Sequence, residues 1–449
     1  MAHEKGVTGR RGFLGAAAGM ALAAGAATNV KPAAVQAQKG GKLRVALVGT
    51  GIRGSGMWGK RLVDNYSDVV EFVGLCDRNR KRMEFVKGYL GVTCPTFSDL
   101  EFDDMIEKTK PDAVIVTTMC STHAKYICRA MELGCDVITE KPLCTDEKLC
   151  QEVMDTEKRT GRKIRVTFNY RYGPAAARIK EILMSGEIGQ ITSVDFQWYL
   201  DTDHGASYYR RWHAFKQNSG SLLVHKATHH FDLLNWWLDA EPAMVNAYGD
   251  LRHYGFNGQF RGERCMTCAY KSSCPYFWDI TKDDFMMNLY VKPESEDGYI
   301  RDACLYRMNI NIWDTMSVQV RYHNDALLNY SLNSCMPYEG YLVGFNGTKG
   351  RLDAREYHSQ PWEIDRLADL RITMLQGKTR TFAITQSGDG GHWGADDKMQ
   401  DMIFRGPVPD PLGQTAGSRA GALSIMIGIT ARRSIEQQRP IAIEELVKI

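Results

Sequence analysis

From Lys42 onward, short unbroken apolar runs alternate with longer stretches of helical periodicity. Lys42–Val48, Val69–Cys76, Ala113–Thr118, Asp136–Thr139 and Ile164–Phe168 are predicted strands, each mostly apolar. Between them, Met57–Tyr66, His123–Leu133 and a segment reaching Thr160 are predicted helices. Strands and helices alternating at this spacing make βαβ units and a parallel sheet. After Asn169 the pattern changes. A helix near Ala175–Gly186 leads into Ile191–Leu200, where polar and apolar positions alternate as in a half-exposed strand. Further strands are predicted at Met244–Asp250, Met308–Ile312, Met316–His323, Ala326–Cys335, Tyr341–Asn346, Gly350–Ala354 and Ile372–Leu375. Little helical text separates them, so the second sheet should be mostly antiparallel. Ala416–Glu436 is predicted as a closing helix. The fold class is therefore α/β, with a Rossmann-type domain over residues 41–168 and an α/β domain over 169–449.

At 449 residues the chain is too long for one ordinary core, which agrees with two domains. With 44% apolar and 24% charged residues its composition is that of a globular protein. The formal charge of +3 argues against a nucleic-acid partner, for which basic residues would gather into a patch. Small-molecule chemistry is the better expectation. Residues 1–37 stand apart: Arg10 and Arg11 precede Phe13-Leu14 and the small, apolar run Ala16–Ala27, and Val35-Gln36-Ala37 has the character of a cleavage site. This is the pattern of a twin-arginine signal peptide, implying a periplasmic or extracellular mature protein and export in folded form, with a cofactor already loaded. The run is shorter than the roughly 20 residues that span a bilayer, and no membrane span is expected elsewhere.

Gly49-Thr50-Gly51-Ile52-Arg53-Gly54 lies between a predicted strand and helix. Gly49 allows the tight turn, Gly51 lets the backbone approach a pyrophosphate, and Gly54 permits close helix–strand packing. Ile52 and Arg53 sit where a helix N-terminus would face the phosphates. Asp77 closes the next strand, 23 positions after Gly54, where a carboxylate can accept bonds from the adenosine ribose hydroxyls of NAD. Arg78 and Arg80 follow and would suit a 2′-phosphate, so NADP stays open. Glu140-Lys141-Pro142 follows another strand of the same domain. Ligands sit at the carboxyl ends of such strands, so Lys141 should face the nicotinamide and can polarise a substrate oxygen. Gly220–Trp237 reads as an apolar strand turning into a helix and carries His225, Lys226, His229 and His230. His225 and His229 would share one helical face, and neutral imidazole is the usual base for a hydroxyl proton.

Val48–Gly54, Thr118–His123, Glu140-Lys141-Pro142 and His225–Asp232 together resemble the Gfo/Idh/MocA family of sugar and inositol oxidoreductases, over a match that runs from Lys42 to the C-terminus. The resemblance implies a Rossmann domain followed by an α/β domain with a large open sheet, often the interface of a homodimer or homotetramer. It implies catalytic roles for Lys141 and His229, with His225 where many members carry aspartate. Thr118-Met-Cys-Ser-Thr-His123 stands where members often read Thr-Pro-Asn-x-x-His, so Thr118 and His123 are expected beside the cofactor, with Glu140 and Asn169. Arg171, Tyr172, Arg211, His213, Lys226 and His230 are the expected substrate contacts, since cations among aromatic rings suit a small carbohydrate. Gly391-His392-Trp393-Gly394-Ala395-Asp396 is a further candidate to reach the pocket.

Twelve cysteines are many for such a chain. Cys265, Cys268 and Cys274, in an insertion near residues 253–305, could join Cys304 around a structural zinc or an iron–sulfur cluster, or form disulfides. The leading function is NAD(P)-dependent hydride transfer at a hydroxyl of a sugar, cyclitol or glycoside. Two alternatives stand beside it. One is a glycoside hydrolase of the same fold that recycles a bound NAD by transient oxidation and elimination, resembling the NAD-dependent N-acetylgalactosaminidases. The other is a non-catalytic sugar-binding protein, against which Lys141 and His229 both argue.

Overall fold

Strands that pack between helices on both faces have no polar side, which is why the first sheet reads as unbroken apolar runs. In the computed structural model, which describes residues 41–385 and 393–449, these runs are β1 (Leu43–Val48), β2 (Val70–Cys76), β3 (Thr96–Phe97), β4 (Ala113–Val116), β5 (Asp136–Thr139) and β6 (Ile164–Val166). They pair in parallel in the order β3-β2-β1-β4-β5-β6. The crossovers include helices Arg80–Leu90 and Phe102–Thr109, where charged residues dilute the apolar period. The twin-arginine reading falls on residues 1–40 and lies outside the described residues.

The second sheet holds β7 (Ile191–Asp201), β8 (Pro242–Asp250), β9 (Thr315–Tyr322), β10 (Leu327–Met336), β11 (Glu339–Gly347), β12 (Gly350–Ser359), β13 (Ala368–Met374), β14 (Thr379–Ile384) and β15 (Ile441–Ala442). Its order is β14-β13-β12-β11-β7-β10-β9-β8-β15, with β7 and β10 parallel and the other pairs antiparallel. Along β9 every second residue is buried, so one face meets the core and the other is open. Helix Ser418–Gln437 packs against β8 and against helix Thr228–Leu238.

Two expected strands are not strands. Leu222–His225 is a short helix, preceded by Gly220 at φ 72° and Ser221 at φ 91°. Leu222, Leu223 and Val224 are buried all round, and a wholly buried turn of helix is as apolar as a strand. Met308–Ile312 alternates because Met308 faces solvent while Ile310 and Ile312 are buried, yet the Asn311 amide bonds the Ala214 carbonyl rather than a neighbouring strand.

The insertion between β8 and β9 crosses to the Rossmann domain. Asn79 Nδ2 donates to the Pro293 carbonyl at 2.9 Å, Arg82 Nε donates to the Leu289 carbonyl at 3.1 Å, and Arg82 pairs with Asp297 at 2.8 Å. Leu289 and Tyr290 pack on Val86 and Leu90 of helix Arg80–Leu90. Its cysteines do not form the expected centre. All twelve thiols are free, which removes the disulfides, and among the described residues no three His, Cys, Asp or Glu side chains converge as metal ligands. Cys265 instead accepts from Arg210 Nη1 at 3.0 Å, and Cys304 Sγ accepts from the Tyr306 amide. Zinc and iron–sulfur readings are therefore set aside. Among the described residues, no helix is long and apolar enough to cross a membrane.

Candidate active site

β1 ends in the glycine turn, and the turn needs its glycines. Gly49 has φ 92°, and a Cβ there would lie 2.8 Å from the Thr117 and Thr118 backbone. A Cβ on Gly54 would overlap the Gly49 carbonyl. Helical segments Ile52–Ser55, Gly56–Lys60 and Arg61–Tyr66 follow without a break, the middle one a π turn. A side-chain-free backbone at the start of a helix fits the pyrophosphate of a dinucleotide. Asp77 lies behind this turn. Its Oδ2 accepts from the Thr50 amide at 2.6 Å and the Thr50 hydroxyl at 2.8 Å, and its Oδ1 accepts from the Asn79 amide and faces Arg82 at 3.5 Å. These donors occupy most of its lone pairs, so Asp77 braces the turn rather than standing open to a ribose. Arg78 is exposed beside it.

Arg53 and Glu140 were expected to line the cofactor, but they bind each other. Arg53 Nε lies 2.9 Å from Glu140 Oε1, which also accepts from the Trp58 indole at 2.8 Å. Burial alone would raise the Glu140 pKa, yet Arg53 and Lys141 hold it below the ordinary carboxylate value. The pair fastens the end of β5 to the glycine-turn helix and so positions Lys141. His123, also buried, stands between the carbonyls of Pro142 at 2.8 Å and Thr118 at 3.1 Å, joining the two loops that flank the site.

Lys141 reaches across to the second domain, where its Nζ donates to the His225 carbonyl at 3.2 Å. Burial pushes its pKa down to about 8, with Glu140 opposing. Around it, His225 Nδ1 lies 3.1 Å from Cys120 Sγ, and the rings of His225 and His213 are 4.0 Å apart. Burial first, and then the neighbouring cations Lys141 and Arg211, hold both histidines well below their ordinary pKa. Burial also raises the Cys120 thiol to about 12, so neutral imidazole and protonated thiol share one hydrogen. Arg211 lies over the Tyr208 ring, half-buried at the edge of this group.

One turn further on, His229 stacks on Tyr170 at 4.4 Å, and Lys226 Nζ donates to the Tyr170 hydroxyl at 3.2 Å. Lys226 stands 4.0 Å from Glu339, which lies 2.9 Å from His204 Nδ1 and 3.9 Å from His358; His204 Nε2 meets the Tyr208 hydroxyl at 2.9 Å. Glu339 is held ionised, its burial outweighed by His204, His358 and Lys226. Glu339, His204 and His358 escape sequence reasoning because none belongs to a motif, whereas Cys120 lies inside the Thr118–His123 stretch and its role there was not read from it. Asn169 Nδ2 donates to Asp396 at 2.7 Å, and Gln400 Nε2 donates to the Met57 carbonyl at 2.9 Å, which brings helix Ala395–Phe404 to the cofactor domain. Gly391 and His392 of the same candidate stretch lie outside the described residues.

Three expected substrate contacts are structural. Arg171 makes a two-pronged pair with Asp232 at 2.7 and 2.6 Å, both buried. Tyr172 is buried in the core beside Ile138 and Met399. His230 is fully buried, stacked on Trp198 at 3.9 Å with Nδ1 on the Tyr330 hydroxyl at 2.7 Å.

A glycine-turn Rossmann domain that inserts a lysine into the histidine segment of an α/β domain defines a nicotinamide-dependent oxidoreductase. Comparison with known proteins makes this specific. Residues 43–168 match the oxidoreductase family described as an NAD-binding Rossmann fold, and residues 180–443 match its C-terminal alpha/beta domain. The chain belongs to the Gfo/Idh/MocA oxidoreductase family. It is 37% identical to "Putative oxidoreductase YteT" of Bacillus subtilis over 90% of this chain and 99% of that one. It is 24% identical to the inositol 2-dehydrogenase/D-chiro-inositol 3-dehydrogenase of Lactiplantibacillus plantarum over 54% of this chain and 68% of that one. The solved oxidoreductase domain protein of Kribbella flavida shares the fold, with a TM-score of 0.63 at 17% identity, covering 90% of this chain and 99% of that one.

Proposed function

We propose that the protein oxidises, reversibly, a ring hydroxyl of a sugar, cyclitol or glycoside, with NAD(P) held at the glycine turn. The observation that carries this is the meeting of the domains at one point: Lys141, at the carboxyl end of β5, is bonded to His225 of the second domain. The inositol dehydrogenase among the relatives supports a polyol substrate. The bound nicotinamide supplies the hydride acceptor. The protein handles the proton. A carbon gives up its hydride only as its hydroxyl proton departs, so a base must stand within hydrogen-bond reach of that oxygen. His229 takes that role, and the Lys141 ammonium steadies the negative oxygen. His213 and His225, held neutral, add no competing charge.

Lys141→Met and His229→Ala test this. Each should lower turnover by about 10²–10⁴-fold while cofactor affinity, read by titration, stays near that of the parent. The Lys141 pKa is lowered in the fold, so the ammonium exists below about pH 8 and kcat/KM for oxidation should fall as pH rises through that value. Near-normal turnover by His229→Ala on the true substrate would place the base elsewhere, with His225 next to test. A free sugar released from a glycoside with no added cofactor would instead select the hydrolytic alternative.

A further inference from the structure

The insertion does more than cap helix Arg80–Leu90. The amide of Ile52, the first residue of the helical run after the glycine turn, donates to the Tyr290 hydroxyl at 2.9 Å. Tyr290 is buried and therefore held there. Having accepted one bond, its hydroxyl keeps a hydrogen to give, and among the described residues no acceptor takes it. Arg301, at the far end of the same insertion, packs over the rings of Trp278 at 4.9 Å and Tyr290 at 5.8 Å. Arg301 is only 9% exposed, its Nε is buried without a hydrogen-bond partner, and among the described residues no carboxylate pairs with it. A buried cation without a countercharge is costly, and this one packs on the ring of the tyrosine whose hydroxyl meets the helix start, itself a place that attracts anions.

We propose that Tyr290 and Arg301 form the outer wall of the dinucleotide site: the Tyr290 hydroxyl and the Arg301 guanidinium both donate to the cofactor's pyrophosphate. The wall rests on the Rossmann reading above and adds residues from the other domain to it. The same strap carries Leu289, Pro293 and Asp297 onto helix Arg80–Leu90, so the cofactor is enclosed from both sides and leaves slowly.

Titration of the full-length protein with NADH and with ADP-ribose, which keeps the pyrophosphate and lacks the nicotinamide, tests the wall. Tyr290→Phe, which preserves the ring packing, and Arg301→Gln should each weaken both ligands alike by about tenfold, the effect of losing one hydrogen bond to a charged group. Arg301→Lys should recover part of the loss, and NADH should dissociate faster from Tyr290→Phe. Unchanged affinity for both ligands in both variants would overturn the proposal. So would an Arg301→Gln that binds both ligands normally but raises the KM of the substrate, because the guanidinium would then serve a substrate anion. Should Arg301→Gln fail to fold, Tyr290→Phe alone decides. A parent protein that binds neither ligand would overturn the Rossmann reading itself, an outcome distinct from the other two.

Discussion

At the scale of single residues, Lys141 bonds the His225 carbonyl across the two domains while Arg171 and Asp232 pair in the buried interior. Lys141 and the glycines were legible because their chemistry needs them at fixed places relative to strand ends. Arg171 was misleading for a physical reason: a cation next to the cofactor domain looks like a ligand contact until its partner, Asp232, is seen 61 positions away in sequence. The pair makes a prediction of its own. Arg171→Met would leave Asp232 buried without its countercharge, and breaking such a pair costs about 3–5 kcal/mol. Denaturant melts should show that loss of stability while the KM of the folded fraction stays unchanged. A raised KM at full stability would return Arg171 to the substrate. Glu339 shows the reverse failure. A lone glutamate at the start of β11 gives no signal, although in the fold it holds Lys226, His204 and His358 together.

At the scale of elements, the parallel half was readable because burial on both faces leaves continuous apolar strands bounded by glycine and acidic turns. The same rule misread Leu222–His225, where burial on every side erased the helical period. Strand β14 was missed because Thr379-Arg380-Thr381 precede Phe382-Ala383-Ile384, so polar and apolar positions do not alternate along it and no residue is fully buried. The insertion was visible as a cysteine-bearing interruption, but not its destination. Its docking depends on Asn79 and Arg82, two residues at the N-terminal end of a distant helix, and such a nonlocal fit leaves no periodicity. This is also why Asp77 reads differently in the fold: with Thr50 and Arg82 around it, the carboxylate organises the turn.

At the scale of the whole molecule, the open face of the second sheet carries exposed apolar side chains. Met244, Tyr248 and Leu327 lie on it, 45%, 74% and 53% exposed. Pairing of Met244 and Leu327 with Arg321, and of Tyr248 with Ser317, puts all three on one side. The family resemblance expects copies to meet on this sheet, and exposed apolar groups gathered on one face favour association. Light scattering should give a dimer or tetramer for the parent and a smaller species for Tyr248→Glu; a parent that stays monomeric at micromolar concentration would contradict it. The central claim is that the two domains meet to move a hydride from a substrate carbon to a nicotinamide while Lys141 and His229 manage the proton. The most direct measurement uses a polyol deuterated at the reacting carbon, with the recovered cofactor read by mass spectrometry. The expected result is deuterium on the nicotinamide ring of the reduced cofactor with the parent protein, and the same labelled product formed about 10²–10⁴-fold more slowly with Lys141→Met. Reduced cofactor without the label would contradict the account.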